Sequence, residues 1–502
     1  MNKFKYYLML FLILGPYVSN AGDYHTTIDV IPTNWDPREH KGGFYLRLSG
    51  QIFCSLLQMD DNLNVSPDLA MKWWIDKNGK RYIFLLRDDV FFHNGRSVTA
   101  DDVIYSLNRM KQRSALSLDL QIIKHISKPN NNSDLPAYLK EYKHDRVVII
   151  ELKEPFSQMM SLLANITMAI FPEAELKENS DLFFKKPISC GPFKLADLQS
   201  NVVIMDRNEK YHGVKNPTID RLVFHKVNSI KAAELFNEGK LDDIVNLMVD
   251  ESKIKREFSK LEGWIFITRF IRLNTKSSVF NKLQCRRAFI SAFDRVLFIE
   301  KVGLKKMIPA TGFIPKGMLG HLENSPFIYE PKESKKLWQQ AKCNAHISVV
   351  TSRKKEAKAI KFVADNMKKT LGVSLDIKYV DPDTWYKKWH DFKDDAILGG
   401  MDSMYIDPYF ILKHADSHFE RNYMGIKDPN IDKLLSQASK EHEKEMRSKI
   451  YQKIDELIMK HSTIMPLYYG DVDSGIYSAK VKGLRLPPTG TNYVKYNSVK
   501  LP

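Results

Sequence analysis

Between Tyr82 and Met110 the chain reads YIFLLRDDVFFHNGRSVTADDVIYSLNRM. Tyr82, Phe84 and Leu86 alternate with Ile83 and Leu85, and nearly every residue of the run is apolar. A short run this rich in aromatic and branched residues is a strand that needs cover on both faces. Asp88-Asp89 and Asn94-Gly95 supply turn chemistry. Thr99 is an N-cap residue with Asp102 three positions on, the spacing of a capping box. Val103, Leu107 and Met110 then share one helical face, with Ile104 beside them. On local grounds this is a strand–turn–helix packing unit, because exposed Asp pairs in turns are ordinarily just solvated.

The rest of the chain repeats that alternation. HTTIDVIPTNWDP opens with a strand and ends in a Trp35-Asp36-Pro37 turn, and a helix-like stretch runs from about Leu46 to Leu57. Residues 111–145 are polar, with KPNNNSDLP as a surface loop. DRVVIIEL predicts a strand, and PFSQMMSLLANITMAIFP an apolar helix or helix pair. CGPFKLADL and NVVIMDRN predict a hairpin, LVFHKV a buried strand, and Lys231–Asn237 a helix. After the strand WIFITRFIRLN, helices are predicted over Gln284–Val302, Pro331–Ala341 and Ala357–Leu371, and from about Asn430 to His461. HISVVTS and VSLDIKYV bracket one of them as a strand–helix–strand unit. Strands alternating with helices predict an α/β architecture. A chain of 502 residues should hold more than one domain. With no Pro- or Ser-rich linker between them, the domains are expected to be interleaved.

Lys3 and Lys5 precede the apolar run Tyr6–Leu14, Gly15-Pro16 breaks it, and Ser19-Asn20-Ala21 ends in small residues. That pattern is a secretory signal peptide with cleavage expected after Ala21. The run is short for a membrane span, and no Cys near the cut offers a lipid anchor. Export permits disulfides among Cys54, Cys190, Cys285 and Cys343, and three pairings are possible. The formal charge of +16 raises nucleic acid as a partner, yet basic clusters such as Lys368-Lys369 are diluted by acids nearby and no basic arm appears. Nucleic acid is therefore not expected.

Catalytic patterns are missing. There is no phosphate-binding glycine loop, no Gly-x-Ser-x-Gly elbow and no His-Glu-x-x-His. His414 and His418 are four apart, but without further ligands they read as surface histidines rather than a metal site. The adjacent pairs Asp101-Asp102, Asp242-Asp243 and Asp394-Asp395 point apart in regular structure and make no dyad. An exported chain of this size without a nucleophile, base and orienter leans toward binding.

Pro67–Met110 resembles the signature of family 5 extracellular solute-binding proteins, the peptide, nickel and related receptors of ABC importers. The resemblance rests on Leu69-Ala70, Trp73, Gly79, Tyr82, Phe84, Leu86-Arg87, Phe92-His93, Gly95, Thr99-Ala100, Asp102-Val103 and Tyr105-Ser106. It continues through Gly191-Pro192-Phe193, Ile219-Asp220, Gly239 to Asp242, Leu273-Asn274-Thr275, Asp294-Arg295, Asp407-Pro408 and Pro466-Leu467-Tyr468. It implies a two-lobed α/β periplasmic binding protein fold of type II, with an extra domain inserted in the first lobe. The implied organisation is a signal peptide over 1–21, first lobe over 22–60, 186–272 and 478–502, inserted domain over 61–185, and second lobe over 273–477. It further implies a monomeric periplasmic receptor without cofactor or metal, closing on a peptide-like solute and delivering it to a membrane permease.

The resemblance places the cleft near Asn274 and along GGMDSMYIDP, which carries Gly400, Met401, Asp402, Met404 and Asp407. Peptide binders of the family hold the α-ammonium with an Asp where this chain has Met404, and have a Trp where it has Met401. Arg272 falls where some have an acidic cleft residue, which hints at an anionic ligand; a solvated strand charge is its alternative reading. Trp385 or Tyr386 is a candidate cleft aromatic, with core packing as the alternative. A non-peptide solute, such as a sugar, opine, haem or metal chelate, and a secreted hydrolase are the rival functions.

Overall fold

The computed structural model describes residues 22–501 except 40–43, 61, 115, 132–133, 214–218, 246, 248, 305–306, 353–356, 471 and 488–493. The expected signal peptide lies outside the described residues. The aromatic strand occupies Arg81–Leu86, inside a four-stranded antiparallel sheet ordered Ala70–Ile75, Arg81–Leu86, Val147–Leu152, Ile123–Ser127. Both of its faces are covered, as its composition requires. Tyr82, Phe84 and Leu86 join a core with Val103, Leu107 and Met110 of the helix Ala100–Gln112. Ile83 and Leu85 face a second cluster with Leu135 and Leu139. The capping box forms, with Asp102 accepting from the Thr99 N–H at 2.9 Å. The same carboxylate accepts from Arg96 and from the Glu173 N–H, so it ties the cap to the helix Glu173–Glu178.

Two further sheets organise the rest. One has the order Asp23–Ile28, Arg221–Lys226, Val202–Arg207, Phe193–Leu198, and its core gathers Tyr24, Trp35, Phe193, Phe224 and Tyr496. The other has six strands ordered Ile308–Pro309, Ile464–Tyr469, Ile267–Leu273, Ala396–Asp402, His346–Thr351, Ser374–Tyr379. Its parallel pair His346–Thr351 and Ser374–Tyr379 is joined by the helix Ala357–Leu371, the expected strand–helix–strand unit. A small sheet of Asp243–Val245, Val472–Ser478 and Phe258–Trp264 stands before the six-stranded one. The chain passes between these two sheets twice, from Phe258–Trp264 into Ile267–Leu273 and from Ile464–Tyr469 into Val472–Ser478. The crossings are neighbours, since the Gly470 N–H donates to the Ile267 carbonyl at 2.9 Å. Gly470 has φ of +82°, a left-handed turn open to glycine at little cost.

Several expectations are corrected. The polar segment 111–145 holds the strand Ile123–Ser127, whose inward Ile123 and Ile126 were masked by surrounding polar residues. The apolar stretch after Pro155 is helical only over Met159–Leu163, because Asn165 turns the chain by accepting from the Thr167 N–H. Gln284–Val302 is two helices, Leu283–Ser291 and Arg295–Val302, the second capped by Asp294. The stretch from Asn430 to His461 is likewise divided, into Pro429–Lys440 and Lys444–His461. Phe171, Leu176, Phe183 and Phe184 pack into the core of the sheet that begins with Asp23–Ile28. Ile267–Leu273 is paired on both sides in the six-stranded sheet.

Two disulfides settle the pairing as Cys54–Cys190 and Cys285–Cys343. The first joins the points where the chain leaves for the four-stranded sheet and returns from it.

Candidate functional site

A cleft of about 990 Å³ opens between the two halves of the molecule. One wall comes from the region of Phe53 to Asp68, from Ser161–Ile166 and from the end segment Lys482–Lys500. The facing wall is Asp402–Ile406 with Met318, and Ile265 and Phe266, at the crossing between sheets, line it too. Both halves and the tether between them therefore meet at one cavity.

Its polar groups are held by specific partners. Asp68 is buried and accepts from the Ser55 N–H at 3.0 Å and from His212 Nε2 at 2.9 Å. Burial opposes ionisation of its carboxyl, but those hydrogen bonds and the nearby Lys495 hold it below the usual carboxylate range. Lys495 Nζ donates to Gln58 Oε1 at 2.7 Å. Asn165 reaches across, its Nδ2 donating to the Met404 carbonyl of the facing wall.

The two halves also touch beside the cleft. The Ser157 N–H donates to the Ser439 carbonyl at 2.7 Å, and Gln158 Nε2 donates to the Tyr451 hydroxyl at 2.8 Å. Tyr405, a cleft residue, donates to Asp119 Oδ1 at 3.2 Å from the opposite half. Lys413 pairs with the same carboxylate. Burial pushes the Lys413 ammonium down in pKa, opposed by Asp119.

Of the residues singled out from sequence, Asp402 and Met404 line the cleft. Met401 points away into the core beside Phe270 and Trp389. Gly400 lies against Arg269, with a Cβ there falling 2.6 Å from its Nη1. Asp407 is buried, accepting from the Tyr451 hydroxyl at 2.5 Å and facing Arg447; burial raises its pKa against both partners. Asn274 is spent on the main chain, donating to the Phe392 and Asp394 carbonyls. Trp385 stacks on Trp389 and donates to the Leu398 carbonyl, while Tyr386 is exposed. Arg272 lies under an aromatic cage of Trp389, Phe392 and Tyr423 and donates to the Trp389 carbonyl at 2.7 Å. Arg272 is buried, so it is not a solvated strand charge, and it is not among the residues that line the cleft. His414 is buried and stacked on Tyr423, so it is not the surface residue expected. His418 is exposed beside Asp416 and Asp432, whose carboxylates already accept from the His418 and Ser417 N–H groups.

Among the lining residues missed from sequence are Asp68, Asn165 and the cations Lys482, Arg485, Lys495 and Lys500. The dense basic spacing of KVKGLRLPP and KYNSVK was their available signal.

The model of bacterial extracellular solute-binding proteins, family 5 Middle, matches residues 64–423. The chain belongs to that family. Over 464 residues it is 25% identical to the periplasmic oligopeptide-binding protein OppA of Salmonella typhimurium, covering 86% of this chain and 84% of that one. The fold is that of DppA from Helicobacter pylori, solved in complex with the peptide STSA, with a TM-score of 0.78, 21% identity, and 95% and 97% of the two chains covered. It is equally that of AgaA from A. tumefacien R10, solved with agropinic acid, with a TM-score of 0.79, 20% identity, and 96% and 99% covered. The expected two-lobed family 5 architecture is thus the observed one, and the cleft lies where its two lobes face each other. Among the described residues no helix is long and apolar enough to cross a membrane.

Proposed function

We propose that this family 5 protein is a periplasmic receptor that takes a peptide-like solute between its lobes and hands it, unaltered, to the permease of an ABC importer. The observation that carries the reading is the shared cleft, lined by both lobes and by the crossing that joins them. A site built this way binds by shifting the population toward the closed arrangement, since only there do both walls reach the solute. The similarity to OppA, a periplasmic oligopeptide-binding protein by name, supports a peptide-like solute. In this reading the signal peptide is removed after Ala21, no lipid is attached, and the receptor acts as a monomer.

Native mass spectrometry of protein taken from the periplasm tests it, together with a thermal-shift screen against peptide mixtures. A co-purified, chemically intact solute and a peptide-dependent rise in melting temperature are expected. A bound compound that emerges cleaved would end the receptor reading.

One observation favours a second solute class. Met404 stands on the cleft wall where the family resemblance puts the ammonium-binding carboxylate, and a desolvated ammonium without such a partner is costly. A solute without an ammonium needs no such group, and AgaA, which shares the fold, is solved with agropinic acid. A thermal shift with opines or chelates and none with peptides would select it.

A further inference from the structure

Lys482 and Lys500 form an isolated antiparallel bridge, the Lys482 N–H donating to the Lys500 carbonyl at 3.1 Å and the Lys500 N–H returning at 2.8 Å. Residues that exchange both hydrogen bonds sit directly opposite, with Cα atoms about 5.5 Å apart. Like charges at such a pair repel and destabilise the bridge. Both residues line the cleft, and among the described residues no carboxylate lies within ion-pair distance of either ammonium. The adjacent turn is tightly packed: Gly483 has φ of +79°, and a Cβ there would fall 2.2 Å from the Ser498 carbonyl oxygen. The pairing of the two lysines is thus built into the backbone. Arg485 and Lys495 add positive charge from the same segment.

The carboxylates that share this wall are committed elsewhere. Asp60 closes its own loop by accepting from the Asn62 and Asn64 N–H groups. Asp68 is held by Ser55 and His212. Opposite and between them stand the apolar Ile265, Phe266, Met318 and Ile406, with Asp402 and Ser403 as the polar residues of the facing wall.

We infer that the solute is an amphipathic anion, with its negative group held by the bridged Lys482 and Lys500 and its apolar body against the facing wall and the crossing. The inference rests on the receptor reading and narrows its solute class. Anionic peptides and non-peptide carboxylates share this chemistry.

The test is calorimetric titration of the full mature protein with Glu-Phe-Glu, Ala-Phe-Ala, Lys-Phe-Lys and deoxycholate. At least one of the two anions is expected to bind roughly tenfold tighter than Lys-Phe-Lys, a preference that weakens with salt. Binding of Glu-Phe-Glu alone would make the source a peptide, and binding of deoxycholate alone a non-peptide. The K482M/K500M variant should lose most of the preference. Its unliganded melting curve, expected to be unchanged or shifted upward, separates this loss from misfolding, and K482Q/K500Q serves if the methionines disturb the fold. Equal or tighter binding of Lys-Phe-Lys, or full retention of the preference in a folded variant, overturns the inference and leaves the receptor reading standing. Failure of all four probes to bind overturns the inference, while the receptor reading stands or falls with the co-purified solute.

Discussion

Lys413 and Asp119 are 294 residues apart in sequence yet form an ion pair at 2.5 Å across the two lobes, with side chains only 6% and 3% exposed. Removing one partner of a buried pair leaves an uncompensated charge, at about 3–5 kcal/mol. That cost falls on the arrangement in which the lobes touch, because separating them rehydrates Asp119. Lys413→Met is therefore expected to enlarge the radius of gyration of the unliganded protein and weaken solute binding, and Asp119→Asn in the same chain to reverse much of both. Small-angle scattering decides the first part; an unchanged profile would show that the pair does not hold the lobes together.

Arg272 packs within the second lobe and does not line the cleft. Its guanidinium lies 4.4 Å from the Phe392 ring centroid, and burial lowers its pKa to about 10, opposed by Tyr423, so it stays charged at neutral pH. Arg272→Ala should lower stability by about 2–4 kcal/mol through the lost stacking and carbonyl bond, with solute affinity retained. Urea unfolding and a binding isotherm on the same preparation check both halves.

Asp243 carries a pH signature. It is fully buried, accepting from the Tyr24 hydroxyl at 2.9 Å and from Thr26, and burial raises its pKa from 3.8 to about 7 against the pull of Thr26 and Arg47. The folded state therefore holds a proton that the unfolded chain has released. Its contribution to stability is complete below pH 3.8 and is lost, at about 1.4 kcal/mol per pH unit, as pH rises to about 7. Asp243→Asn cannot titrate, so its stability relative to the parent should climb over that interval. Parallel stability–pH curves for the two proteins would rule out the raised pKa.

The two disulfides should differ in weight. Cys54–Cys190 spans 136 positions and Cys285–Cys343 spans 58. Chain entropy alone assigns them about 5 and about 4 kcal/mol, with the larger ring the greater. C54S/C190S is expected to melt below C285S/C343S, and the reverse order, measured calorimetrically, would mean that local packing outweighs ring size.

Local features survived the passage from sequence to structure best. The strand Arg81–Leu86 and the Thr99–Asp102 cap are dictated by neighbours a few residues away, and both form. The helix Ala357–Leu371 has the bounds its apolar periodicity implies. The cleft was legible only where a family motif passed along it, at Asp402 and Met404. Arg272 was misplaced because its cage comes from residues 389–423, which no local pattern connects to the strand Ile267–Leu273. Lys482 and Lys500 sit in basic stretches of the sequence, but their pairing is tertiary and no local pattern carries it.

The hydrogen bond between Gly470 and Ile267 sets the two crossings side by side. In a receptor of the kind proposed, two bodies whose chain crossings lie along one narrow seam would swing about that line, since sliding or twisting would strain both crossings at once. A guest's bulk would then be reported to the outside chiefly as an angle, and a membrane partner reading that angle could accept chemically varied cargoes of similar girth.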